Sequence, residues 1–270
     1  MDNLAVQHTR KMKEHYEGGE FYHWGHEVVA HDLSSLEKYL LEKYVPDQSA
    51  AILEVGCGGG RICLALARAG YQKIQGIDFS DKMIATARQH QQEQKLEQPL
   101  SFQVASATEL PFPDHSLDAI LFFANVLCFL LSREDRLRAL REGFRVLRPR
   151  GFALLSALDY SARPYNPILF SALRTIRAFS NPLHYQGRLL PWLKIGHRLN
   201  WKFFLPSQPQ SYWYLPQELV QDCRVSGLTV LEFIPPLPGG KTEAPPSIPE
   251  RNEIYLAAQK TLPAIKPDFR

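Results

Sequence analysis

The chain has 270 residues, 45% hydrophobic and 22% charged, with a formal net charge of +3. That leaves enough apolar mass for one large domain or two small ones, and too little excess charge to imply nucleic-acid binding by itself. The four cysteines, Cys57, Cys63, Cys128 and Cys223, form no CxxC pair, which argues against a disulfide framework or a structural zinc site and fits a reducing compartment.

The opening MDNLAVQHTRKMKEHYEGG is charged and lacks the apolar run of a secretory leader, so a cytoplasmic location is expected. Residues 15–31 gather His15, His23, His26 and His31 with Tyr16, Tyr22 and Trp24 around a Gly-Gly pair. Apolar spacing at Val29, Leu33, Leu36, Leu40 and Leu41 predicts a helix over 27–45, ended by Pro46 and Asp47, within a helical cap over 1–47. AILEV (51–55) predicts a strand, and a glycine run and the helix RICLALARAG follow it, closed by Gly70. KIQGID (73–78) is a second strand. A helix over 80–94 starts on Ser80, and strands follow at 100–106 and 117–123. AILFFANVLCFLL (119–131) reads as a buried strand running into a loop and is too short to span a bilayer. Ser132 and Asp135 have capping-box spacing at the head of a helix over 132–149, and FALLSALD (152–159) is a fifth strand.

Residues 160–214 break the rhythm with six prolines, many aromatics, seven Arg or Lys and no Asp or Glu. The rhythm returns with a helix over 216–227 and strands over 228–234 and 253–260. Strands alternating with helices through short connections predict an α/β fold. The expected architecture is Rossmann-like: a doubly wound, mostly parallel seven-stranded sheet, with a helical insertion before the last helix. The core would comprise 48–159 and 215–262, with 160–214 as a lid over substrate.

The glycines define the ligand class. A dinucleotide fingerprint, GxGxxG, needs a third glycine where this chain has Arg61 or Cys63, depending on the frame. The run is instead ExGxGxG, made of Glu54, Gly56, Gly58 and Gly60. ILEVGCGGG resembles the first motif of the class I S-adenosylmethionine-dependent methyltransferases. IQGIDFS resembles their second motif, ASATELPFPDHSLDAIL their third-strand stretch, and RVLRPRG their RVLRPGG turn with Arg150 in place of a glycine.

The resemblance implies S-adenosylmethionine as cofactor and S-adenosylhomocysteine as its spent form. It implies that Gly56 and Gly58 wrap the amino-acid end of the donor and that Glu54 answers its ammonium. Asp78 would hold the ribose hydroxyls and Phe79 would lie against adenine. Ser106, where the family commonly has Asp, and Ala107 would meet the adenine edge, and Asn125 lies where the family's chain passes the donor. The sulfonium already makes the methyl electrophilic, so transfer needs alignment and exclusion of water, and a base only where the acceptor carries a proton.

His23 and His26 are the candidate bases. Tyr22, Trp24 and Arg174 are the candidate acceptor contacts, and no metal is expected. The basic, aromatic insertion points to a small organic acceptor that is apolar, anionic or both. The alternatives are docking on an anionic membrane surface, with a lipid or quinone-type acceptor, or a solvated or subunit-facing basic surface. Nucleic acid is not an expected partner. A non-catalytic donor-binding or scaffold protein is the rival from another class, and the basic insertion disfavours an aminopropyl transferase. The methylated atom and the oligomeric state are not legible.

Overall fold

A computed structural model describes residues 13–14, 17–18, 23–27, 31–96, 100–162, 175, 188–191, 194–195, 198–199, 210–236 and 253–261. The strands are β1 (Ala51–Val55), β2 (Lys73–Asp78), β3 (Leu100–Val104), β4 (Leu117–Phe122), β5 (Leu147–Leu158), β6 (Leu189–Pro191), β7 (Lys194–Ile195), β8 (Arg198–Leu199), β9 (Gln210–Tyr212), β10 (Leu228–Ile234) and β11 (Glu253–Lys260). The helices are α1 (Ser35–Tyr44), α2 (Arg61–Arg68), α3 (Asp81–Gln94), α4 (Arg133–Val146) and α5 (Pro216–Val225).

Seven strands form one sheet in the order β10-β11-β5-β4-β1-β2-β3. Pairing is parallel from β5 to β3, and β11 runs antiparallel to both of its neighbours. The expected mostly parallel, seven-stranded, doubly wound sheet is therefore present. Its chain winds outward from β1 to β3, then crosses back to lay β4 on the other side of β1. Ligands of such sheets bind beyond the carboxyl ends of the strands at that reversal.

Successive strand residues face opposite ways, and the two faces have separate cores. Leu53, Ile120, Phe122, Leu155 and Leu256 pack with Leu140 of α4 and Leu219 of α5. Ile52, Ile74, Leu121, Leu154 and Ala257 pack with Leu40 of α1, Ile62 of α2 and Ile84 of α3.

One local expectation is corrected. The helix predicted over 27–45 is α1, which begins only at Ser35, while His23–Glu27 forms a separate π-helical turn. A capping box sets that start: Glu37 N–H donates to Ser34 Oγ at 3.2 Å and Ser34 N–H to Glu37 Oε2 at 2.8 Å. The apolar stretch 119–131 leaves the sheet at Phe122 and forms a 3-10 turn over Val126–Phe129. Most of the insertion expected to be helical lies outside the described residues; those described include Thr175 in helical conformation and two antiparallel pairs, β6 with β9 and β7 with β8. Among the described residues, no helix is long and apolar enough to cross a membrane.

Candidate cofactor site

The loop after β1 turns on three glycines in the left-handed region, Gly56 at φ +71°, Gly58 at +52° and Gly60 at +90°. A Cβ on Gly56 would lie 2.5 Å from Val126 Cγ2, so the loop after β4 rests directly on the first glycine. The turn is tied to β2 because the N–H groups of Gly56 and Cys57 both donate to the Ile77 carbonyl, at 2.7 and 2.9 Å. Gly59 N–H donates to the Trp24 carbonyl at 3.2 Å, which brings the π-helical turn onto the loop.

Asp78 closes β2 and is buried. Its Oδ2 accepts from Gly58 N–H at 3.0 Å and its Oδ1 from Ser80 N–H at 2.9 Å. A carboxylate offers about four lone-pair sites, so about two remain for further donors such as a pair of neighbouring hydroxyls. Burial raises its carboxyl to about 6, against the lowering effect of these backbone donors. Phe79 follows, half-buried. Ser106 is exposed and its Oγ is engaged locally, accepting from Thr108 N–H at 3.2 Å and lying 2.8 Å from Thr108 Oγ1. Ala107 packs at the edge of one core.

Glu54 lies under the glycine turn. Its Oε2 accepts from Cys63 N–H at 3.0 Å and lies 2.9 Å from Cys63 Sγ. Burial pushes its carboxyl up to about 7, opposed by these hydrogen bonds and by Arg61.

Asn125 also has a left-handed backbone, at φ +62°. Its N–H donates to Ser156 Oγ at 3.1 Å, and its side-chain Nδ2 donates to Glu253 Oε1 at 2.6 Å. Tyr255 OH donates to the other carboxylate oxygen, Glu253 Oε2, at 2.9 Å. Asn125 Oδ1 is buried and has no hydrogen-bond partner, a state that costs about 1–3 kcal/mol unless something supplies a donor or a positive charge. Burial lifts the Glu253 carboxyl to about 7, with Asn125 and Tyr255 pulling it down. Further along the same sheet face, Arg61 holds Glu37 through two bonds of 2.8 and 2.6 Å, both side chains buried.

These residues fit S-adenosylmethionine. Asp78 has acceptor capacity for hydroxyls, the buried acids Glu54 and Glu253 at the same strand ends suit a ligand that carries positive charge, and the first turn of the loop has no room for a Cβ. Nothing in the turn resembles a phosphate cradle that ends on a third glycine.

The fold brings Glu54, Gly56, Gly58, Asp78, Phe79 and Asn125 to the carboxyl edge of β1, β2 and β4. Ser106 and Ala107 lie just beyond β3, where Ala105 N–H donates to the Asp78 carbonyl at 3.0 Å. His26 packs edge-on to His90 with ring centroids 5.3 Å apart, and His90 Nδ1 lies 3.0 Å from the Gly59 carbonyl. Tyr22, Arg174 and the side chain of His23 lie outside the described residues. Among the described residues, no cluster of His, Cys, Asp or Glu could hold a metal ion.

Reading the sequence passed over Glu253, Ser156, His90 and Glu37. Of these only Glu37 carried a local signal, its spacing from Ser34; Glu253 looked like the first residue of an ordinary strand.

The arrangement is that of an α/β protein with a glycine turn and buried acids at the carboxyl ends of its central strands. Residues 53–155 match the family described as methyltransferase domain. The ubiquinone/menaquinone biosynthesis C-methyltransferase UbiE of Rickettsia massiliae is 34% identical over 133 residues, covering 46% of this chain and 52% of that protein. The chain spans about half the length of the curated relatives it matches. The fold is similar to that of a SAM-dependent methyltransferase of Methanosarcina mazei, at TM-score 0.65 and 22% identity, covering 86% of this chain and 100% of that one. It is also similar to the 1,6-didemethyltoxoflavin-N1-methyltransferase of Burkholderia thailandensis, at TM-score 0.60 and 14% identity, covering 97% and 90%.

Proposed function

We propose that the chain transfers the methyl group of S-adenosylmethionine to a small organic acceptor by in-line displacement. The observation that carries this reading is Asp78. It is fastened to the glycine loop through Gly58 N–H and to α3 through Ser80 N–H, yet keeps lone pairs for the two hydroxyls of a ribose. The donor's amino-acid end is assigned to the loop at Gly56 and Gly58, with Glu54 beneath. Phe79, Ser106 and Ala107 are assigned to the base, and Asn125 to the reacting end. His26, at the mouth of the loop, is the described candidate for taking a proton from the acceptor, and Trp24 the described candidate for contacting it.

Calorimetry with S-adenosylhomocysteine tests the donor assignment. Asp78→Ala is expected to weaken binding by about 100-fold, the value of roughly two hydrogen bonds to a charged group, with the circular dichroism spectrum unchanged. Capture of NAD by the purified chain, with indifference to S-adenosylmethionine and its spent form, overturns the assignment.

A quinone-type acceptor is the finer reading. The printed name of the Rickettsia relative supports it, as do the basic and aromatic residues of 160–214. Transfer of labelled methyl to a reduced short-chain 2-prenylnaphthoquinol tests it.

A further inference from the structure

We propose that Glu253 is a positioning residue, which turns the Asn125 side-chain amide so that its oxygen faces the sulfonium of the donor. The inference rests on the donor reading above and adds a residue that neither the motifs nor the family match reaches, since the match ends at residue 155.

The placement comes from the topology. Glu253 opens β11 and pairs with Leu158 at the carboxyl end of β5. The last strand runs antiparallel, so its first residue reaches the edge where β1 and β4 release their loops. Val126 presses on Gly56 there. Asn125 thus stands beside the first glycine, across the end of β1 from the Gly58–Asp78 bond. A donor with its ribose on Asp78 and its tail laid over the glycine loop carries its sulfur across the end of β1, toward Asn125.

The orientation comes from hydrogen-bond chemistry. An ionised carboxylate only accepts, so it must be met by the NH2 end of an amide. The 2.6 Å Nδ2 to Oε1 bond is short, as charge-assisted bonds are, and Tyr255 OH occupies the other oxygen. The amide oxygen is then left over, and in this structure it is the buried atom without a partner. Protonation of Glu253 reverses the preference. Its O–H would donate to Oδ1, the amide would turn over, and two N–H donors would face the position of the cation. The other groups around Glu253 are Glu37 from α1, Arg61 from α2, Ser156 from β5 and Tyr255 from its own strand. Arg61 and Glu37 are paired with each other.

S-adenosylmethionine and S-adenosylhomocysteine differ at the sulfonium and share the ammonium, so their affinity ratio isolates this contact from Glu54. Titration calorimetry on the full chain at pH 6 and pH 8 reads it. Glu54 and Asp78 act on parts that both ligands share, so their titration moves both affinities together, and the ratio of S-adenosylmethionine to S-adenosylhomocysteine affinity is expected to rise by up to about tenfold from pH 6 to pH 8. In Glu253→Gln the Tyr255 hydroxyl holds the amide oxygen of the new side chain and directs its NH2 at Asn125 Oδ1. That variant should show at both pH values the affinity ratio that the wild type has at pH 6. The wild-type arm needs no variant to fold. A ratio that stays constant with pH in the wild type, or that keeps the wild-type pH slope in Glu253→Gln, overturns the positioning role alone. Failure of both ligands to bind at either pH overturns the donor reading with it.

Discussion

Gly56 is where backbone geometry and ligand space meet. Any L residue there must adopt a left-handed backbone and also push Val126 aside. Gly56→Ala is expected to cost about 1–3 kcal/mol of stability and to abolish measurable S-adenosylhomocysteine binding, read by urea unfolding and calorimetry. Normal ligand affinity in that variant would show that the Val126 loop moves freely, against the packing seen here. Arg150 makes a useful contrast. It takes a similar backbone conformation, φ +66°, but it is exposed. The same dihedral comes with a tightly packed neighbour in one loop and with open surface in the other.

Between elements, the buried Arg61–Glu37 pair joins the head of α2 to α1, and Arg61 also donates to the Asp32 carbonyl at 3.1 Å. Removing one partner strands a charge out of water. Arg61→Leu is therefore expected to destabilise by about 3–5 kcal/mol, and the double change with Glu37→Leu to recover most of that loss. Equal losses in the single and double variants, measured by denaturant unfolding, would mean that the pair's ionic character does not matter. This clamp also marks how far the sequence could be read. Strands and helices were legible because their apolar periods are local: KIQGID, LTVLEFI and EIYLAAQK are strands at the bounds their patterns indicate. The glycine turn and Asp78 were legible because a ligand loop and the next strand end keep a regular offset. Arg61 was visible only as the residue that spoils a dinucleotide fingerprint. Glu253 was visible only as a strand residue. Their roles arise from partners 24 and 128 positions away in the chain, and such contacts follow from strand order and helix packing. The start of α1 was misplaced for the opposite reason: a four-residue cap overrode a longer apolar pattern.

For the molecule as a whole, three buried carboxyls share one edge of the sheet. Burial raises Glu54 and Glu253 to about 7 and Asp78 to about 6. An acid whose folded value lies above its unfolded one binds its proton more tightly when folded. Its contribution to stability is complete below its unfolded value, near 4, and is lost as pH rises through the folded one. The ligand-free protein is expected to melt about 5 °C lower at pH 8 than at pH 5, a few kcal/mol spread over a chain of this size. Glu54→Gln and Glu253→Gln should each flatten the trend, as scanning calorimetry would reveal; a melting point that climbs over this range would contradict the burial of these acids as described. The order of the strands carries a last consequence. β11 lies between β5 and β10, so the last of the described strands in chain order is an interior one. During synthesis β5 must wait with an unpaired hydrogen-bonding flank, an aggregation hazard for any nascent sheet. With Glu253 in the role proposed for it, the cofactor edge is completed only when β11 has been synthesised, roughly 200 residues after the glycine turn.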